Sequence, residues 1–265
     1  MLKRIFQLFK IARKLASSGA LNTIYQLYTV PTILKIFFEI MSVGSNKKRL
    51  EVEKRPGEQL CDALEGMGTT FIKLGQFLAT RPDIIGNQLA QDLEKLQDRL
   101  PPFKNEVAKE ILFKEIGEKQ YKNILHLSNP IAAASIAQVH LAKIYIENKE
   151  TEVAIKILRP NIEKIFNEEL DALMLFAYIV ENLVKKTKRL KLVEVVHLLR
   201  EITNVEMDLR FEAAAANELY ENTKNDAGFK VPKIYWSYTS KKVLTLDQVK
   251  GVSIREQDAL EKKGV

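Results

Sequence analysis

A single cysteine, Cys61, stands among 265 residues, so no internal disulfide is available and the composition suits a reducing compartment. Histidine is almost as scarce. His126, His140 and His197 lie far apart, with no acid or cysteine at ligand spacing, which argues against a metal centre built on them. No apolar run is long enough to span a bilayer; residues 32–41 come nearest and are cut by Lys35 and Glu39. A secretory signal peptide is not expected either, because Lys10, Arg13 and Lys14 interrupt the place of its apolar region.

Acid is nearly missing from the first 48 residues, which hold eight of the 41 basic residues and, in Glu39, one of the 34 acidic ones. The remainder has 33 of each sign, so the net charge of +7 is a local property. A general nucleic-acid-binding surface is therefore not expected; a cationic N-terminal segment is. Within it, residues 2–15 have helical periodicity. Leu2, Ile5, Phe6, Leu8, Phe9, Ala12 and Leu15 share one side, Lys3, Lys10 and Lys14 the other, and Arg4 and Arg13 the boundary. Three readings are open: a helix lying peripherally on the cytoplasmic face of an anionic membrane, a helix packed on the rest of the protein, or an organelle presequence over residues 1–38 with a mitochondrial location. The polar stretch 42–49 suggests a boundary, giving a basic segment over 1–48 and a helical extension over 49–128.

Residues 58–79 are expected to form one helix. Leu60, Leu64, Met67, Phe71, Leu74 and Leu78 fall in a narrow sector, with Thr69, Lys73, Gln76 and Thr80 opposite. Gly66, Gly68 and Gly75 each cost about 1 kcal/mol in a helix and are expected where something approaches the backbone. Arg81-Pro82 ends the helix, and residues 83–99 and 104–116 read as two more. After Pro130 the period becomes that of strands. Ala137, Val139 and Leu141 alternate with Gln138, His140 and Ala142; after a turn over 147–150, Val153, Ile155 and Ile157 alternate with Ala154, Lys156 and Leu158. A loop entering the first strand (Ala132, Ala133, Ala134, Ser135) followed by a strand lysine, Lys156, is the arrangement kinases use to cradle ATP phosphates. Alanine replaces the usual glycines, which makes the loop stiffer. Residues 161–186 and 192–222 read as long helices. In the second, Asp208 and Glu212 are four apart and share a face, and Ala213–Ala216 suggest burial. A carboxylate here is the expected partner of Lys156, and another could meet Lys73. A second hairpin is expected over 231–246, then a connector over 247–251.

Phe71-Ile-Lys73-Leu-Gly75-Gln76, the alanine loop with Ile136-Ala-Gln-Val-His140, Val153-Ala-Ile-Lys156 with Arg159-Pro160, and Glu206-Met-Asp208 with Glu212 and Asn217 together resemble the UbiB family of atypical protein-kinase-like proteins, over its N-terminal part. The resemblance implies an α+β fold: a helical N-terminal extension and a kinase-like small lobe over 129–251, an antiparallel sheet with long helices. Residues 252–265 would begin a truncated large lobe that is otherwise absent. It implies an atypical kinase or ATPase supporting ubiquinone biosynthesis at the membrane. Lys156 would meet the phosphates of ATP or ADP and a helix carboxylate, Glu212. Lys73 and Gln76 would lie on a helix over the active site, with Lys73 meeting Glu206 or Asp208. The family's catalytic Asp and Asn and metal-binding Asp belong to the large lobe, and only 14 residues follow Gly251. No catalytic or metal-ligating residue is therefore expected here. Nucleotide should bind weakly to this chain alone, and Mg²⁺ only where a large-lobe chain supplies ligands. Partners implied are a membrane surface, that chain, and proteins of ubiquinone biosynthesis. The family's older reading as polyprenylphenol hydroxylases finds no dinucleotide fingerprint, flavin motif or iron ligands in this sequence. Alternatives are a non-catalytic remnant, a membrane-bound nucleotide- or protein-binding module, and a helical scaffold unrelated to nucleotide.

Overall fold

The computed structural model describes residues 2–17, 25, 32–42, 55–96, 100–252, 254, 260–262 and 264. The basic residues 47 and 48, and most of the stretch after the connector, lie outside them. In chain order the described helices are α1 (Leu2–Ser17), α2 (Thr32–Ser42), α3 (Pro56–Met67), α4 (Thr69–Ala79), α5 (Pro82–Ile85), α6 (Asn87–Leu93), α7 (Asn105–Tyr121), α8 (Ile162–Leu183), α9 (Leu192–Glu206) and α10 (Leu209–Thr223). The class is α+β, as the family resemblance implies. Contacts divide the chain into two compact units.

One unit comprises residues 102–133, 137–158 and 208–265. Branched apolar residues at alternate positions build its antiparallel sheet, in the order β1 (Ile124–Ala133), β2 (Ala137–Ile146), β3 (Lys149–Leu158) and β4 (Val243–Asp247). Val153, Ile155 and Ile157 of β3 are fully buried, with Ile144 of β2 and Val243 of β4. Each such side chain contributes about 1.5–3 kcal/mol by leaving water. Helix α7 lies against the sheet and supplies Ala108 and Leu112 to the same core. Its regular path ends at Ile116, because Gly117 takes φ 81°, a conformation that favours glycine. Glu147 and Asn148, both at positive φ, make the β2–β3 turn, so β3 starts at Lys149 rather than after Glu150.

Three expectations are corrected around this unit. Ala132 and Ala133 belong to a strand, β1, paired with Val139 and Gln138, so the loop proper is Ala134–Ile136. The expected second hairpin is instead β4 with a single bridge, Ile234 to Leu246, and a 3-10 turn over Trp236–Tyr238. The long helix expected over 192–222 stops at Glu206 and restarts at Leu209. Asp208 leaves helical geometry (φ −121°, ψ 95°) and caps the restart, so it does not share a helical face with Glu212.

The other unit comprises residues 1–101, 134–136 and 159–207 and is helical, holding α1 to α6, α8 and α9. The single helix expected over 58–79 is two, because Gly68 at φ 104° ends α3 and opens α4. Gly86 at φ 86° likewise divides the helix expected over 83–99. Of the other two glycines singled out from the sequence, Gly66 faces open space, whereas a Cβ on Gly75 would land inside the side chains of Leu64 and Leu96. Close backbone approach therefore holds at Gly75 alone of these two. Both α1 and α9 pack along α8, and Phe38 of α2 meets Phe176 of α8 edge to face at 6.0 Å between centroids.

The inward side of α1 is Ile11, Ala12 and Ala16, while Phe6 and Phe9 are exposed with Lys10 and Arg13. The apolar side expected from the sequence put Phe6, Phe9 and Ala12 together; packing on α8 separates Ala12 from the two rings. The side chains of Leu2, Lys3, Arg4, Ile5, Leu8 and Leu15 lie outside the described residues.

Candidate functional site

Lys156 sits on β3 with Val139 of β2 and Leu244 of β4 as its register neighbours. Its even position puts it on the face opposite Ile155 and Ile157, away from the core. The ammonium donates to both oxygens of Glu212, at 3.0 Å to Oε1 and 2.7 Å to Oε2. Glu212 lies in the first turn of α10, where a carboxylate also complements the helix dipole. Three contacts place that turn. Asp208 Oδ1 accepts from the Arg210 amide at 3.1 Å, the Leu209 amide donates to the Lys241 carbonyl at 2.9 Å, and Leu209 and Ala213 are buried. The Arg210 guanidinium grips Asp208 at 2.9 and 2.6 Å and holds its carboxyl below the usual carboxylate range. Asp208 is thus the fastening of the helix that presents Glu212. The rest of α10 is more exposed than its alanine run suggests: Phe211 and Leu219 face water, and of the alanines only Ala213 is buried.

Lys73 of α4 meets Glu206, the last residue of α9, at 3.0 Å. Of the two carboxylates expected for it, Glu206 is the partner and Asp208 is engaged by Arg210. Its side chain is only 15% exposed, so the pair is better shielded than Lys156 with Glu212, at 26% and 49%. Gln76 lies one turn further along α4 and is half-buried.

The alanine segment divides by environment. Ala132 is exposed at the end of β1, Ala133 and Ala134 are half-buried, and Ser135 is fully buried. The turn Ala134–Ile136 ends three residues before Val139, the register neighbour of Lys156.

Behind the sheet face of β2 lies a polar network that the sequence alone did not single out. Gln138 and His140 point to the buried side, with Ala142 and Ile144. The Phe103 amide donates to Gln138 Oε1 at 2.9 Å, and Gln138 Nε2 donates to the Phe103 carbonyl at 3.3 Å and to His140 Nε2 at 2.9 Å. His140 Nδ1 donates to the Ser128 carbonyl at 2.9 Å, which requires the neutral tautomer protonated on Nδ1. Burial pushes the His140 pKa down. Parity along β2 was the available signal, since both residues alternate in step with Ile144.

The groups present suit a phosphate-bearing nucleotide: a partly exposed strand lysine, oriented by a carboxylate. They do not suit a divalent cation. Among the described residues, no three His, Cys, Asp or Glu side chains gather as ligands. Cys61 is buried, donates to the Asp92 carbonyl at 3.0 Å and has its thiol pushed up to about 11 by burial, so it is not a reactive thiol at neutral pH.

Known proteins share this sequence pattern. The ABC1 atypical kinase-like domain matches residues 95–265. A protein named "Probable protein kinase UbiB" from Marinobacter nauticus is 38% identical over 263 residues, covering 99% of this chain and 47% of that relative. Proteins of the same name from Tolumonas auensis and Pseudomonas paraeruginosa are 36% and 33% identical over 213 residues, covering 80% of this chain and 39% of each relative. The chain thus spans about half the length of the curated relatives it matches, or less.

Proposed function

The chain belongs to the ABC1 atypical kinase-like family, and we propose that it forms the nucleotide-holding portion of a UbiB-like atypical kinase or ATPase. The observation that carries this reading is the two-oxygen grip of Glu212 on Lys156, which aims an ammonium from the open face of β3. In kinases a strand lysine so held pairs with the α- and β-phosphates. Bound ATP would supply the transferable phosphoryl group; this chain's residues bind and orient it. Lys156 meets phosphate oxygens, Glu212 fixes Lys156 from the helix that Asp208 caps, and the alanine segment that begins at Ala132 and Ala133 of β1 covers the phosphates. Lys73 holds α4 to α9 through Glu206 and has a structural part in nucleotide binding at most.

Phosphoryl transfer depends on positioned metal ions and a group that orients the nucleophile. In this reading those groups, with any Mg²⁺, come from a large lobe outside these 265 residues, and these residues alone bind ATP or ADP weakly without turning it over. The name UbiB carried by the relatives is the ground for linking the activity to ubiquinone biosynthesis. Exposed Phe6 and Phe9 beside exposed Lys10 and Arg13 support a peripheral membrane location.

Titration calorimetry with ADP and ATP tests the reading. Lys156→Ala is expected to abolish the binding heat and Lys73→Ala to keep it. The reverse order exchanges the roles of the two lysines. ATP turnover by the 265-residue chain that depends on Lys156 would overturn the division of labour.

A further inference from the structure

Three successive carbonyls in the alanine turn accept hydrogen bonds from the helical unit to which the turn belongs. Arg159 Nε donates to the Ala134 carbonyl at 2.9 Å, Thr69 Oγ1 to the Ser135 carbonyl at 3.4 Å, and the Arg159 amide to the Ile136 carbonyl at 2.8 Å. The same guanidinium donates from Nη1 to the Pro101 carbonyl at 3.0 Å and from Nη2 to the Leu100 carbonyl at 3.3 Å. One side chain therefore fastens the turn to the segment before Pro102, and the first turn of α4 fastens it again.

We propose that Arg159 and Thr69 are positioning residues that lock the Ala134–Ile136 turn in one conformation and so set nucleotide affinity. The functional half of this rests on the reading that the alanine segment, which the turn continues, covers the phosphates. Buried main-chain carbonyls need donors, and Ser135 and Ile136 are buried. The Thr69 hydroxyl and the Arg159 amide meet that need, while the Arg159 guanidinium bridges the Ala134, Leu100 and Pro101 carbonyls because its five N–H groups are fixed in a planar fork; lysine offers a point charge that cannot span them. Alanine already narrows the backbone freedom that glycine would give, and the clamp removes more. A cradle ordered before binding loses less entropy when ligand arrives. Arg159 thus acts through the turn and need not touch the ligand.

The test uses the full chain in four variants, Arg159→Lys, Arg159→Gln, Thr69→Val and Thr69→Ser, with two readouts. The first is exchange of the residue-159 amide proton, the donor to Ile136, measured by NMR against amides of β2 and β3. The second is ADP affinity by calorimetry. Both Arg159 variants are expected to speed residue-159 exchange by about tenfold, the ratio that 1.4 kcal/mol gives, and to weaken ADP by a similar factor, with β2 and β3 amides unchanged. Thr69→Val moves both in the same direction by less, and Thr69→Ser restores them. Unchanged residue-159 exchange overturns the clamp, and so does exchange that rises equally throughout the chain. Faster local exchange with unaltered ADP affinity overturns its role in binding. If the wild-type chain binds no ADP, the nucleotide reading falls, while residue-159 exchange still decides whether the clamp exists. Should the Arg159 variants not fold, the Thr69 pair decides both points.

Discussion

Replacing Gln138 by leucine removes one amide and nearly nothing else in volume. Gln138 is fully buried, and its side chain serves three groups: the Phe103 amide, the Phe103 carbonyl and His140 Nε2. Leucine offers none of them a partner. Each buried polar group that loses its partner costs about 1–3 kcal/mol. His140 is fully buried and incurs the whole penalty, whereas Phe103 is half-buried and water can replace part of its loss. The expected destabilisation is therefore about 2–5 kcal/mol, against a total stability of about 5–15 kcal/mol. Urea unfolding followed by circular dichroism measures it as a shift in midpoint at unchanged slope. A Gln138→Leu loss below about 1 kcal/mol would mean that the network contributes no more than an ordinary solvent-exposed hydrogen bond, and the role assigned to the buried face of β2 would be wrong.

The same network has a pH dependence of fixed sign. Burial lowers the His140 pKa in the folded chain, so its contribution is present above the ordinary histidine value of about 6.5 and is lost progressively as pH falls below it, while the unfolded chain gains a proton; urea midpoints between about pH 7.5 and 5.5 should fall, and a His140→Leu chain should lack that component. Gly66→Ala, into open space, is expected to stabilise by up to about 1 kcal/mol, whereas Gly75→Ala drives a methyl into Leu64 and Leu96 and should cost about 1–3 kcal/mol; thermal melts that rank them the other way refute the packing of α4. Removing residues 1–20 is expected to abolish co-sedimentation with anionic vesicles, and equal binding by both chains rules out α1 as the anchor.

What the sequence revealed and concealed follows the range of the interactions. Lys156 with Glu212, and Lys73 with either Glu206 or Asp208, were legible because charged residues on otherwise apolar elements need partners, and the family resemblance narrowed the choice; only the structure, in which Arg210 takes Asp208, assigns Glu206 to Lys73. The helix breaks at Gly68 and Met207-Asp208 were not legible, because periodicity runs through both sites. At the first the chain uses glycine's left-handed freedom; at the second Asp208 caps α10 instead of continuing α9. Strand β1 escaped because its exposure pattern is irregular and its pairing with β2 shifts register between Ile124 and Ala132. Arg159 read as the residue before Pro160, and its clamp on Ala134, Leu100 and Pro101 joins positions up to 59 apart in sequence. No local pattern signals that.

The most direct test of the central claim is an NMR titration of the isotopically labelled chain with ADP. Saturable shifts are expected at amides of residues 133–139, Lys156 and the first turn of α10, confined to them, weak in affinity and lost in Lys156→Ala. Shifts confined to α8 and α9, or none at saturating ADP, would contradict the claim that Lys156 and Glu212 hold a nucleotide.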